Sequence, residues 1–150
     1  MIAVASIVLS VIALVFSIFV FAEGRRRYKR DVFLKINEVM ISEDQNRGRQ
    51  LLLSQPDEVS VESLPRPDRA NISRAMAMYE TLGMYLRRGY LIEDDVFEMW
   101  GDPAYRAWCK AQVFVKYREQ QSPGIPAYRN FRYLAERAKT FGDTIESGSL

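Results

Sequence analysis

An apolar run with no charged residue extends from Ile2 to Ala22, and a basic stretch, Arg25-Arg26-Arg27-Tyr28-Lys29-Arg30, follows at once. A helix over those 21 residues rises about 1.5 Å per residue, roughly 32 Å in all, which matches a hydrocarbon core of about 30 Å. The pattern predicts a transmembrane anchor over residues 1–24. Basic residues stand only on its C-terminal side, so the positive-inside rule places the N-terminus outside and residues 25–150 in the cytoplasm. A cleaved secretory signal is the competing reading, with Val20-Phe21-Ala22 as its cleavage site. Against it, no basic region precedes the run and the apolar stretch is longer than such signals carry.

Past the basic cluster the period becomes helical and amphipathic. Val32, Phe33, Ile36, Val39 and Met40 share one face, which predicts that the anchor helix continues as a stalk over residues 25–41. Ser42-Glu43-Asp44-Gln45 has the form of a capping box that restarts a helix through Leu51, Leu52 and Leu53. Pro56, Pro65 and Pro67 mark a loop from Gln55 to Asp68. The next helix is the clearest: Ile72, Ala75, Met76, Tyr79, Leu82, Gly83 and Leu86 hold one apolar face until Gly89 ends it. Gly83 on that face predicts close approach of a neighbouring helix.

Leu91-Ile92-Glu93-Asp94-Asp95 offers an acidic start for a short helix through Val96, Phe97, Met99 and Trp100, stopped by Gly101. Asp102-Pro103 then reads as an N-cap and N1 proline opening another, with Tyr105, Trp108, Ala111 or Gln112, and Val115 inward. Ser122-Pro123-Gly124-Ile125-Pro126 breaks that helix. The last runs from about Ala127 to Phe141 and is capped by Gly142. No stretch alternates with period two, so the fold class is all-α. One cytoplasmic domain is expected over residues 42–142, followed by a disordered tail over residues 143–150.

Charge sharpens this picture. Five of the 21 basic and one of the 19 acidic residues fall in the first 30 positions, so the remainder carries 16 against 18 and is nearly neutral. That balance argues against nucleic-acid binding. It assigns Arg25, Arg26, Arg27, Lys29 and Arg30 to a membrane surface, where each contributes about 1 kcal/mol with anionic headgroups. Within the anchor, Ala3, Ser6, Ser10, Ala13 and Ser17 recur at steps of three and four. Such a stripe of small residues suits packing against a second copy or another membrane protein.

Candidate chemistry is sparse. The chain has no histidine and a single cysteine, Cys109, which removes zinc and disulfide frameworks, and no cofactor motif is present. Cys109, next to Trp108, is expected as a buried structural thiol. Glu80 borders the apolar stripe of its helix, and a half-buried carboxylate there calls for a partner such as Arg118 or Arg132. Glu93, Asp94, Asp95, Glu98 and Asp102 form an acidic patch with no calcium-loop spacing. Arg129, Arg132, Arg137 and Lys139 with Tyr133 form a basic face on the last helix.

Three segments carry a resemblance: Ala77-Met78-Tyr79-Glu80-Thr81-Leu82-Gly83, then Arg87-Arg88-Gly89-Tyr90-Leu91-Ile92, then Trp100-Gly101. Together they resemble, over roughly residues 70 to 137, a bacterial family with an N-terminal membrane span and a small helical domain, catalogued only as a domain of unknown function. The resemblance implies a bacterial inner-membrane setting and brings no activity with it. The expected function is a single-pass membrane protein whose cytoplasmic domain is an interaction or regulatory module. The alternatives are a small membrane-tethered hydrolase using carboxylates such as Glu80, and an accessory subunit of a membrane complex.

Overall fold

The structure, a computed structural model, describes the backbone of residues 2–146 and the side chains of residues 11–145. Helices follow one another as α1 (Ile2–Met40), α2 (Glu43–Ser54), a 3-10 turn (Val61–Ser63), α3 (Arg66–Arg87), α4 (Glu93–Gln121) and α5 (Arg129–Glu146). No strand occurs among the described residues, and the chain is all-α.

α1 passes without a break through the basic cluster into the stalk, as its periodicity predicts, and buries Phe33, Ile36 and Met40. Two contacts hold its end. The Arg49 guanidinium donates to the Met40 carbonyl at 2.5 Å, satisfying a carbonyl that a helix terminus leaves open. The Trp100 indole donates to Asn37 Oδ1 at 3.1 Å, with the Arg49 guanidinium 5.1 Å over the same ring. Among the described residues no helix is long and apolar enough to cross a membrane. The part of the apolar run whose side chains are described, Val11 to Ala22, spans roughly 18 Å of helix against about 30 Å of hydrocarbon.

Close helix crossings explain two glycines. α2 begins at Glu43 as expected, although Ser42 makes no side-chain cap bond, so the capping box is not formed. A Cβ on Gly48 would stand 2.4 Å from the Asn71 carbonyl oxygen of α3. A Cβ on Gly83 would stand 2.1 Å from the Asn130 carbonyl oxygen of α5. The approach read from Gly83 is therefore real, and it seats the first turn of α5. α3 itself starts at Arg66, earlier than the prolines suggested, because Pro67 falls in the first turn where its missing N–H costs no hydrogen bond.

α4 departs most from expectation. It is one helix of 29 residues with Pro103 inside it, rather than two helices parted by Gly101. The helix lies against α3 and α5, and Gly101 is buried with its Cβ position 3.8 Å from Ala138 Cβ. Tertiary packing here overrides local stop signals. The inward face is lined by Trp100, Ala104, Ala107 and Ala111, so Trp108 is only half-buried and Cys109 is exposed, not a buried thiol. α5 likewise runs past Gly142 to Glu146, so Gly142 is no cap and residues 143–146 are helical. The rest of the expected tail, residues 147–150, lies outside the described residues. At the centre the Tyr79 and Phe131 rings stack at 4.7 Å with 10° between planes, both almost fully buried. Burial pushes the Tyr79 phenol up to about 12, opposed by the Arg49 charge.

Candidate functional site

Two regions combine exposure, charge and shape in a way that packing alone does not require. The first is the N-terminal half of α1. Nine large apolar side chains, Val11, Ile12, Leu14, Val15, Phe16, Ile18, Phe19, Val20 and Phe21, are 53–68 % exposed, and they point to every side of the helix. The basic cluster follows directly. Arg25, Arg26, Arg27 and Arg30 are exposed and Lys29 is half-buried, with Arg27 3.3 Å from Glu23 one turn back.

The turn between α3 and α4 meets α1 at this level. Gly89 and Tyr90 face Val20, Phe21, Gly24, Arg25, Tyr28 and Lys29 across an open cleft of about 490 Å³. Gly89 holds a positive φ of 71° that only glycine adopts freely, and the Tyr90 ring packs edge-on to Tyr85 at 5.7 Å. Arg87 and Arg88 are exposed beside that turn. The domain thus adds its own basic and aromatic residues to the level of the α1 cluster.

The second region is a cleft of about 580 Å³ between the 3-10 turn, α3, α4 and the start of α5. Arg66 and Arg69, three positions apart on the first turns of α3, share its wall with Arg118 from α4. Val61, Met76, Phe114, Tyr117 and Tyr128 supply its apolar and aromatic surface. Tyr128 closes the loop before α5 with φ of 54°, a left-handed conformation uncommon for a tyrosine, and its carbonyl accepts the Arg132 amide at 3.0 Å. Its phenol is raised by burial, lowered by the Arg118 charge and raised again by Glu80.

Glu80 is half-buried and fully engaged: it accepts from Asn130 Nδ2 and from the Phe131 amide, each at 2.7 Å. It therefore caps α5 from a neighbouring helix and forms no ion pair with Arg118 or Arg132 among the described residues. Arg132 instead lies over the Trp108 ring at 5.9 Å. In the acidic patch Glu93 binds Arg137, and Asp102 lies 3.6 Å from Arg106. Among the described residues no group of three or more His, Cys, Asp or Glu gathers as metal ligands. Of the small-residue stripe, Ala3, Ser6 and Ser10 fall outside the described side chains. Ala13 and Ser17 are exposed, and the Ser17 hydroxyl donates to the Ala13 carbonyl of its own helix at 2.8 Å.

Arg66 and Arg69 were not legible as a site, because the prolines around them read as loop. The Trp100–Asn37 bond was equally hidden, since it joins residues 63 positions apart. Residues 1–138 match the family model described as Domain of unknown function (DUF4760). Neither a curated protein nor a solved structure matches the chain.

Proposed function

The chain belongs to the DUF4760 family, and from that footing we propose that it is a single-pass membrane protein whose helical domain serves as an interaction module at the cytoplasmic surface. The observation that carries this reading is the uncovered apolar girdle from Val11 to Phe21. A helix that is apolar on all sides calls for an apolar surround. Covering nine such side chains is worth on the order of 10 kcal/mol or more. The sequence extends the same apolar character back to Ile2, giving a run long enough for a bilayer. Arg25, Arg26, Arg27, Lys29 and Arg30, with Arg87 and Arg88 close by, favour the inner, anionic face. Tyr28 and Tyr90 stand where interfacial aromatics are commonly found.

The setting that the family resemblance implies is a bacterial cytoplasmic membrane. An interaction role is favoured over hydrolysis because Glu80, the best-placed carboxylate, spends both oxygens on α5. The partner of the anchor is a second copy or another membrane protein. Packing along the stripe, rather than serine bonds, would carry that association, since Ser17 is already satisfied within its own helix. Alkaline carbonate extraction of membranes bearing the full chain tests the reading. The chain should stay in the pellet, and release into the supernatant would overturn anchoring.

A further inference from the structure

We infer that the cleft formed by Arg66, Arg69 and Arg118 is a binding site for an organic phosphate, with the phosphate on the guanidinium groups and the body of the ligand against Tyr117 and Tyr128. Three arginines line one concave cleft, and among the described residues none of them has an ion-pair or hydrogen-bond partner for its side chain. Elsewhere in the domain Arg74, Arg106, Lys110 and Arg137 are each matched to an acid. Three uncompensated positive charges in one cleft repel one another, and an anion relieves that repulsion.

Guanidinium forks match phosphate oxygens in pairs, and no lysine lines the cleft, so the recognition is of the forked kind. A single carboxylate would leave two charges uncompensated, whereas a phosphate or diphosphate neutralises most of them. About 580 Å³ lies within the usual range for small-molecule sites. The tyrosine rings and Phe114 offer flat apolar surface for a ring or aliphatic body. Glu80, which acts on the Tyr128 phenol, does not compete, because Asn130 and the Phe131 amide hold both its oxygens. The left-handed backbone of Tyr128 is strain of the sort that clusters at ligand sites.

The inference is independent of membrane anchoring and is tested on the full chain in detergent micelles, without divalent cations, by isothermal titration. ADP should bind saturably, pyrophosphate about tenfold more weakly, and adenosine not at all. Arg69→Gln and Arg118→Gln should each weaken ADP binding by about tenfold or more while melting like the wild type. Arg106→Gln, outside the cleft, should bind normally. Tyr117→Leu should weaken ADP and leave pyrophosphate unchanged. The inference is overturned if neither ADP nor pyrophosphate binds at millimolar concentration, if adenosine binds as well as ADP, or if the two cleft variants bind like the wild type.

Discussion

Removing the Glu80 carboxylate should uncouple α5 from α3. Its two oxygens accept from Asn130 Nδ2 and the Phe131 amide at 2.7 Å each, at the first turn of α5, where backbone N–H groups have no partner inside the helix. Hydrogen bonds to a charged group contribute about 1.5–3 kcal/mol each. Glu80 is half-buried, and water can partly replace it, so the low end applies and the pair sums to about 3 kcal/mol. The positive end of the α5 dipole adds a few tenths more at this position. A domain of this size is stable by about 5–15 kcal/mol, so Glu80→Ala should remain folded in the cold and melt roughly 10–20 °C lower. Glu80→Gln keeps one acceptor for the Phe131 amide and should lose about half as much. Thermal and urea unfolding of the full chain in micelles, followed by near-ultraviolet circular dichroism, measures both. The effects of Glu80→Ala and Asn130→Ala should also be less than additive. A Glu80→Ala chain within about 0.5 kcal/mol of the wild type would refute the capping role.

Gly83→Ala should destabilise by about 2 kcal/mol or more despite better helix propensity, since the new Cβ meets the Asn130 carbonyl. Gly142→Ala, with open space around it, should stabilise by up to about 1 kcal/mol in the same melts. Tyr79 has a folded pKa raised to about 12 from 10, so its contribution is fully present below pH 10 and is lost as pH rises through 12. Tyr79→Phe should therefore flatten the fall in stability across that window, read by urea titration at each pH. Asn37→Ala removes the partner of the Trp100 indole, and should cost about 1–3 kcal/mol together with a change in Trp100 fluorescence. Trp108→Ala should cost less than the 3–5 kcal/mol typical of a buried tryptophan, because the ring is half-exposed.

What the sequence made legible was whatever local periodicity controls. The apolar face of α3, from Ile72 to Leu86, is buried residue for residue as its spacing requires, and Gly83 sits where a helix crosses. The break at residues 122–126 and the passage of α1 into its stalk were equally local. α4 was misread because Gly101 and Pro103 are local stop signals, while its continuity comes from packing on other helices, α5 above all. The inward register of α4 is one residue off at 105 and 108, while Ala111 and Val115 are buried as expected. Aromatic Tyr105 and Trp108 looked like core, yet the crowded crossing admits alanines at 104, 107 and 111 and leaves the large rings on the flank. The need of Glu80 for a partner was legible from its place beside the apolar stripe. Its actual partner was not, because a helix terminus offers backbone amides that no residue type announces. The arginine cleft was invisible for a similar reason: it joins positions 66, 69 and 118 only through the fold.

The place of α1 relative to a bilayer is measured directly by the depth of spin labels along the chain. With Cys109 replaced by serine, a label at Phe16→Cys, at Tyr90→Cys or at Glu119→Cys is read in nanodiscs by its relative accessibility to oxygen and to a water-soluble nickel chelate. A label at position 16 should be exposed to oxygen and shielded from nickel, one at 90 near the headgroup level, and one at 119 open to nickel. Equal nickel accessibility at positions 16 and 119 would contradict anchoring.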